Sequence, residues 1–448
     1  MNIIQTIDML KSTNILHPRN KIFMADTSVQ PLSEHEPVYR RNFFFFLSDS
    51  ILFSLAMSII SPTTLIPDFL RRLTSSEVLI GFSSSMFDFG WTLPQLFIAR
   101  YIVRFERKKW WFVGPNIPVR FMMFIFAVLT VVLGRDRPEA ILIAFLVCYG
   151  IAAIGDGIVG VPWMTLAGSS LDERWRARML GLSTAIVGVV MLGIAPLIGV
   201  VLGSPDLPFP NNYALLFGVA GLMFAVSTLP FLFVRELPDT KAVEKMPPMA
   251  EFLPGLGHVL RTDVPYRAMI LTRMLTSLFA MANPFYIGFA TVQLGLSSTV
   301  AVPVLLAMQT VGSLAGALLY TWVGAKRNVL FIRLALGCAA FLPVSALLAV
   351  AVGPLPLYVG FLLSGMTVHN LFLAYLNWII SYAAPDQRPM YAGLFNTLGA
   401  LVALIAPFIG GTIAQQAGYE ILFVVALVMV LVALFVSLRY IPELRKAA

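Results

Sequence analysis

Long apolar runs separated by short polar connections dominate this chain. An α-helix rises 1.5 Å per residue, so about 20 mostly apolar residues cross a hydrocarbon layer. Runs of roughly that length fall at 41–67, 77–103, 110–133, 139–165, 178–203, 212–234, 268–293, 299–323, 329–352, 355–382, 389–416 and 419–438. The longer ones suit tilted helices. The one long polar interruption, about 235–267, is rich in charge and proline and divides the twelve runs six and six. The predicted organisation is a tail (1–40), a first helical bundle (41–235), an inter-bundle loop (236–267), a second bundle (268–440) and a short tail (441–448). Residues 1–40 contain no apolar core of signal-peptide type, so a polar tail without a cleaved signal is expected.

Composition narrows the class. Of 448 residues, 58% are hydrophobic and 12% charged, and the mean hydropathy is +0.83. Soluble domains carry about twice that share of charge. A soluble enzyme, a nucleic-acid-binding domain and a disordered chain are therefore excluded. The net charge of +8 is explained by where Lys and Arg fall. With the N-terminus inside, twenty-four of them lie in inside segments and four (Arg71, Arg72, Arg135 and Arg137) lie outside. That asymmetry predicts cytoplasmic termini in a multi-pass protein of the plasma (cytoplasmic) membrane. The two cysteines, Cys148 and Cys338, sit inside apolar runs and do not point to a disulfide framework.

The halves resemble each other. "LTSSEV" (73–78) and "LSSTV" (296–300) each precede the second run of a half. "ERKKWW" (106–111) pairs with "GAKRNV" (324–329). "WMTLAGSSLDERWRARMLGL" (163–182) pairs with "WIISYAAPDQRPMYAGLF" (378–395), and "APLIG" (195–199) with "APFIG" (406–410). The offsets drift only from 222 to 211, so each pair keeps its place in its half. Because six is even, the halves share one orientation, which is a parallel repeat about the membrane normal.

On these segments the chain resembles the major facilitator superfamily of secondary transporters. "RYIVRFERKKWW" keeps the basic end of that family's 2–3 loop (Arg107, Lys108, Lys109) without its glycine and aspartate. The 8–9 segment keeps Gly324, Lys326 and Arg327, also without the aspartate. "GDGIVGVPWMTLAGSSLDERWRARMLGL" is closer to the family pattern and ends in Arg176, Ala177, Arg178 and Gly181. The resemblance implies an all-α membrane protein, with twelve transmembrane helices in two parallel-repeat six-helix bundles working by alternating access. It also implies a gate loop of Asp172, Arg174, Arg176 and Arg178, matched by Asp386 and Arg388. Pro196 and Pro407 resemble the family's antiporter element, which tilts the reading toward proton-coupled efflux of a small organic solute. Nutrient uptake, and a membrane sensor of the same fold that does not transport, are the alternatives.

Ionisable groups within the hydrocarbon are costly and mark candidate sites. They are Asp49, Asp88, Arg120, Asp156, Arg273, Arg333 and His369. Asp88 lies on a polar stripe with Ser84, Thr92 and Gln95, which faces either a cavity or a partner helix such as one bearing Arg120. Asp156, flanked by Gly155 and Gly157, stands either at a break that lines a cavity or at a close helix crossing, paired with Arg120. It is the first choice for carrying a coupled proton, with Asp88 second. Asp49 is expected either to pair with Arg273 across the halves near the inner mouth or to be solvated there. His369 is a substrate or proton ligand or a packing residue. Asn283, Asn377, Trp163 and Trp378 are polar or aromatic enough to line a cavity, or to serve ordinary packing and interfacial belts. Arg333 reads as structural. The four histidines form no H-E-x-x-H, and neither G-x-S-x-G nor a phosphate-binding G-x-x-x-x-G-K-[ST] loop occurs, so no cofactor, metal or catalytic residue is expected. The expected partners are a small solute, protons and the lipid bilayer, in a monomer.

Overall fold

A computed structural model describes residues 36–102, 108–236, 260–324, 327–368, 370–384 and 387–443. Apolar runs fold as helices here because only a helix satisfies its own backbone groups in lipid. The helices are α1 (Glu36–Ile60), α2 (Leu65–Arg71), α3 (Glu77–Ile102), α4 (Lys109–Leu133), α5 (Pro138–Ser170), α6 (Glu173–Gly203), α7 (Asn211–Ser227), α8 (Val264–Phe279), α9 (Phe285–Gly288), α10 (Ser298–Leu319), α11 (Asn328–Val352), α12 (Leu355–Val368), α13 (Asn370–Tyr382) and α14 (Arg388–Tyr440). Short 3₁₀ turns follow α7 and α8, and single π turns follow α9 and α10. Ten stretches are long and apolar enough to cross a membrane among the described residues. The 53-residue α14 holds one non-helical residue, Gly418 at φ 86°. A side chain would be strained there, and the expected division between 416 and 419 falls on it.

Helices α3, α4, α5 and α7 pack on one another, as do α8, α10, α11, α12 and α14; the two groups meet along α6–α10 and α3–α14. The first group is filled by aromatic rings. Phe69 contacts Phe126, Phe145, Tyr213 and Phe217 at centroid separations of 5.2–6.0 Å. In the second, Tyr286 stacks on Phe423 at 4.4 Å. Outward residues are apolar and bare, with Val132 at 75% and Val200 at 69% exposure, as lipid-facing positions require.

Close helix approaches rest on glycine. At Gly157 a Cβ would meet the backbone oxygens of Gly90 and Trp91 at 2.5 and 2.7 Å, so only glycine lets α3 and α5 cross there. Gly312 fits α10 against Leu362 and Gly365 of α12 in the same way. The helix ends repeat a pattern too. Glu236 accepts from the backbone N–H groups of Lys108 (2.6 Å) and Lys109 (3.2 Å) at the start of α4. Glu443 does the same for Val329 (3.3 Å) and Leu330 (3.1 Å) at the start of α11. A carboxylate suits a helix N-terminus because the free N–H groups and the helix dipole both favour negative charge.

Candidate functional site

The interior of the first group holds a basic side chain between two acids. Arg120 and Asp156 form an ion pair at 3.1 Å, and Arg120 Nε donates to Asn116 Oδ1 at 3.1 Å. Its guanidinium lies over the Phe53 ring, 4.2 Å from the centroid. Asp49 accepts from the Trp163 indole N–H at 3.0 Å, within electrostatic reach of both Arg120 and Asp156. All three charged residues are buried, at 3% (Asp49), 7% (Arg120) and 7% (Asp156) exposure.

The structure chooses among the expected alternatives. Arg120 pairs with Asp156 rather than Asp88, and Asp49 meets Trp163 of its own group rather than Arg273. The cause is geometric: α1 turns its Asp49 face toward α5, while the Asp88 face of α3 turns toward α14. The chain does not break at Asp156, since α5 is continuous from Pro138 to Ser170. Its glycines serve contact, Gly155 against Val119 of α4 and Gly157 against α3.

Asp88 is exposed although it lies in the middle of α3, and it makes no side-chain hydrogen bond or ion pair with another described residue. The opposite charge acting on it is Arg273 of α8. Arg273 packs over Phe372 (5.4 Å) and Phe395 (5.9 Å), and its buried Nε has no partner. On the stripe with Asp88, Ser84 is buried and bonds back to Ile80 O at 2.8 Å, while Thr92 bonds back to Asp88 O at 2.8 Å.

The other expected residues disperse. Asn283 is half-buried beside the irregular turns around α9, and Asn377 lies beside the Tyr320 hydroxyl. Trp378 is buried where α13 meets the segment after α14: its indole donates to Pro442 O at 3.3 Å and stacks on Tyr382 at 4.4 Å. Arg333 donates to Ser437 O (3.1 Å) and Ile441 O (2.9 Å), closing a helix end. His369 and Asp386 lie outside the described residues.

The described members of the expected gate loop bond to helix ends. Asp172 caps α6 by accepting from Trp175 N at 2.8 Å. Arg176 donates to Gly168 O (3.0 Å) and Leu171 O (3.3 Å), and Arg388 donates to Ala383 O at 3.4 Å. Arg178 covers the Trp175 ring at 5.4 Å, and Arg174 is exposed.

The polar seam between the groups lies elsewhere and was missed from sequence. Ser298 donates to Asp68 at 2.9 Å and accepts from Arg72 at 3.2 Å. Tyr419 donates to Glu77 at 2.5 Å, Thr63 to Gln309 at 3.4 Å, and Arg71 pairs with Glu77 at 2.7 Å. Among the described residues the side-chain hydrogen bonds that join the groups are those of Ser298 with Asp68 and Arg72, of Tyr419 with Glu77 and of Thr63 with Gln309. The first three lie at the rim carrying the α2–α3 connection, Gln309 sits about 16 Å further along α10, and Arg71–Glu77 braces that rim within the first group. The signal available was "PDFLRR", an acid and two arginines at the end of an apolar run.

Two helical groups, apolar on their outer faces, with buried charges and a polar seam at one rim, define a multi-pass membrane protein of the transporter class. The family model described as Major Facilitator Superfamily matches residues 42–349 and 323–448. This chain belongs to that superfamily. Its fold is similar to the nucleoside transporter NupG (TM-score 0.63, 12% identity, covering 88% of this chain and 98% of that one). It is also similar to a D-xylose-proton symporter (0.67, 13%, 90% and 98%) and to an inward-facing bacterial homologue of the iron transporter ferroportin (0.63, 15%, 90% and 98%). No curated protein is matched by sequence. The protein is therefore a multi-pass membrane protein with the transporter fold of that superfamily.

Proposed function

We propose that this protein is a secondary active transporter of a small organic solute. Two six-helix bundles (41–235 and 268–440), joined by the 236–267 loop, rock against each other and expose the interior to one side at a time. Twelve spans are reached by adding α3 to the ten long apolar stretches and dividing α14 at Gly418. The matched carboxylates at α4 and α11, the matched arginines Arg176 and Arg388, and the matched crossings at Gly90 and Gly312 support a parallel repeat. The termini are cytoplasmic, the protein acts as a monomer in the plasma membrane, and export is the favoured direction.

The observation that carries alternating access is the gathering, among the described residues, of the side-chain bonds between the groups toward the α2–α3 rim, where Ser298 meets Asp68 and Arg72 and Tyr419 meets Glu77. A seam that is closed at one end is one of the two states that such a cycle needs. Proton coupling is supported by the arithmetic of the buried cluster. Asp49 and Asp156 share one guanidinium, which leaves one negative charge uncompensated. A proton is the simplest group that neutralises such a cluster away from water. The deciding experiment is counterflow in proteoliposomes, using a solute selected because it raises the melting temperature of the purified protein. Oxidation of an Asp68→Cys/Ser298→Cys pair should stop exchange, and reduction should restore it. Binding without exchange in the unmodified protein would leave the sensor reading instead.

A further inference from the structure

The pairing of α3 with α14 sets two unlike charges opposite each other in the interior. Gly81 of α3 packs against Pro407 O of α14, where a Cβ would come within 2.8 Å. Asp88 lies seven residues further along α3, about 10.5 Å, and Gly399 lies eight residues back along α14, about 12 Å. Since the strands of contact run in opposite directions, Asp88 arrives level with Gly399. At Gly399 the neighbour is Arg273, whose Nε would stand 2.8 Å from an added Cβ. One bundle thus offers a carboxylate and the other a guanidinium at the same depth.

These two charges do not close on each other. They form no ion pair within 4.0 Å, Asp88 stays exposed, and Arg273 Nε is left without a partner. Contrast Arg120 and Asp156, which close to 3.1 Å. Phe372, Phe395 and the Gly399 surface fix the Arg273 stem on its own bundle. The hydroxyl of Tyr375, also within reach of Arg273, is likewise buried and unpartnered. An unbridged carboxylate and guanidinium, one from each moving body, fit a ligand that carries both complementary charges.

We propose that Asp88 and Arg273 form the substrate site for a small zwitterion of amino-acid type, whose ammonium meets Asp88 and whose carboxylate meets Arg273. The guanidinium takes a carboxylate through two parallel N–H donors, which fixes the ligand's orientation. A solute with one charge leaves the other protein charge without a partner, which selects against simple cations and anions. Binding both charges also ties the two bundles together, so occupancy bears on the rocking motion. This proposal rests on the transporter reading above.

The test uses the full-length protein in nanodiscs. Melting temperature and calorimetric binding are measured with each of the twenty protein amino acids, and with the amide and N-acetyl forms of those that bind. At least one zwitterion should bind. Its amide (cation only) and N-acetyl form (anion only) should each bind at least about tenfold more weakly. In Asp88→Asn the zwitterion and the N-acetyl form should become equivalent. In Arg273→Gln the zwitterion and the amide should become equivalent. Binding by none of the twenty overturns the proposal. So does equal affinity for the singly charged forms, or unchanged discrimination in folded Asp88→Asn protein. If a variant does not fold, the wild-type comparison of the three charge forms still decides. Binding without counterflow would instead overturn the transporter reading while leaving the zwitterion site standing, and counterflow of a neutral solute without zwitterion binding would do the reverse.

Discussion

Removing the rim bonds selectively should move the protein between its two states. Ser298→Ala deletes the hydroxyl that bridges Asp68 and Arg72, and Tyr419→Phe deletes the donor to Glu77. Neither change strands a carboxylate, because Asp68 keeps Tyr213 and Glu77 keeps Arg71. A hydrogen bond to a charged group contributes about 1.5–3 kcal/mol net. Of the three bonds removed, those to the carboxylates of Asp68 and Glu77 alone make the double variant lose about 3 kcal/mol or more of preference for the shut state. That corresponds to roughly a hundredfold shift in the equilibrium. Ser84, buried one turn below Gly81 on α3, serves as reporter. In a Cys148→Ala/Cys338→Ala background, Ser84→Cys should react with an impermeant maleimide at least about tenfold faster once the rim bonds are removed. Tyr213→Phe is the control. It removes a bond to the same Asp68, but within one bundle, so it should lower the melting temperature without raising reactivity. Equal reactivity of Ser84→Cys with and without the rim bonds would refute the reasoning, as would an equal rise in Tyr213→Phe.

Three further outcomes are expected. Asp156→Asn removes one of the two acids around Arg120, and should abolish accumulation driven by a pH gradient while retaining solute binding and downhill exchange; accumulation driven by the pH gradient alone would acquit it. Gly157→Val places a side chain against the backbone of Gly90 and Trp91, and should lower the melting temperature by several degrees, in line with the roughly 1–3 kcal/mol cost of overpacking. Single cysteines in 204–211 and 353–356 should label from outside intact cells, whereas those in 240–250 should label only after permeabilisation; outside labelling of the middle segment would reverse the orientation.

Helix positions were legible because lipid imposes a composition on whatever it touches. The expected 110–133 and 329–352 differ by one residue at the start from Lys109–Leu133 and Asn328–Val352. The expected 139–165 stops five residues short of Ser170, because Leu166, Ala167 and Ser170 are buried against neighbours rather than in lipid. Charges in the interior were also legible, since a residue such as Asp156 stands out within an apolar run. Their partners were not. Arg120 had two acids within plausible reach, and only the rotation of α3 about its axis sends Asp88 to α14 while Asp156 meets Arg120. The rim seam was hidden for a related reason. Asp68 and Ser298 are 230 residues apart, and at a polar connection neither residue looks unusual.

The contrast between rims and interior supports the proposed division of labour. Every helix end leaves backbone groups without partners, whatever the protein transports. A repeated half inherits the same need, and the same solutions recur: an acid on the start of α4 and of α11, an arginine on the carbonyls that precede α6 and α14, and a glycine at the α3–α5 and α10–α12 crossings. The middle of the protein carries no such common need, and there the halves diverge. The first holds a closed ion pair with an additional acid, Asp49, beside it. Arg273 of the second half turns instead toward Asp88 of the first and leaves that encounter open. Charge held inside one bundle suits a small bound species such as a proton, because its site travels intact as the bundles rock. Charge divided between bundles suits a solute whose binding must respond to the rocking itself. The two clusters therefore fit two different tasks, and substitutions at Asp156 and Asp88 should separate coupling from recognition.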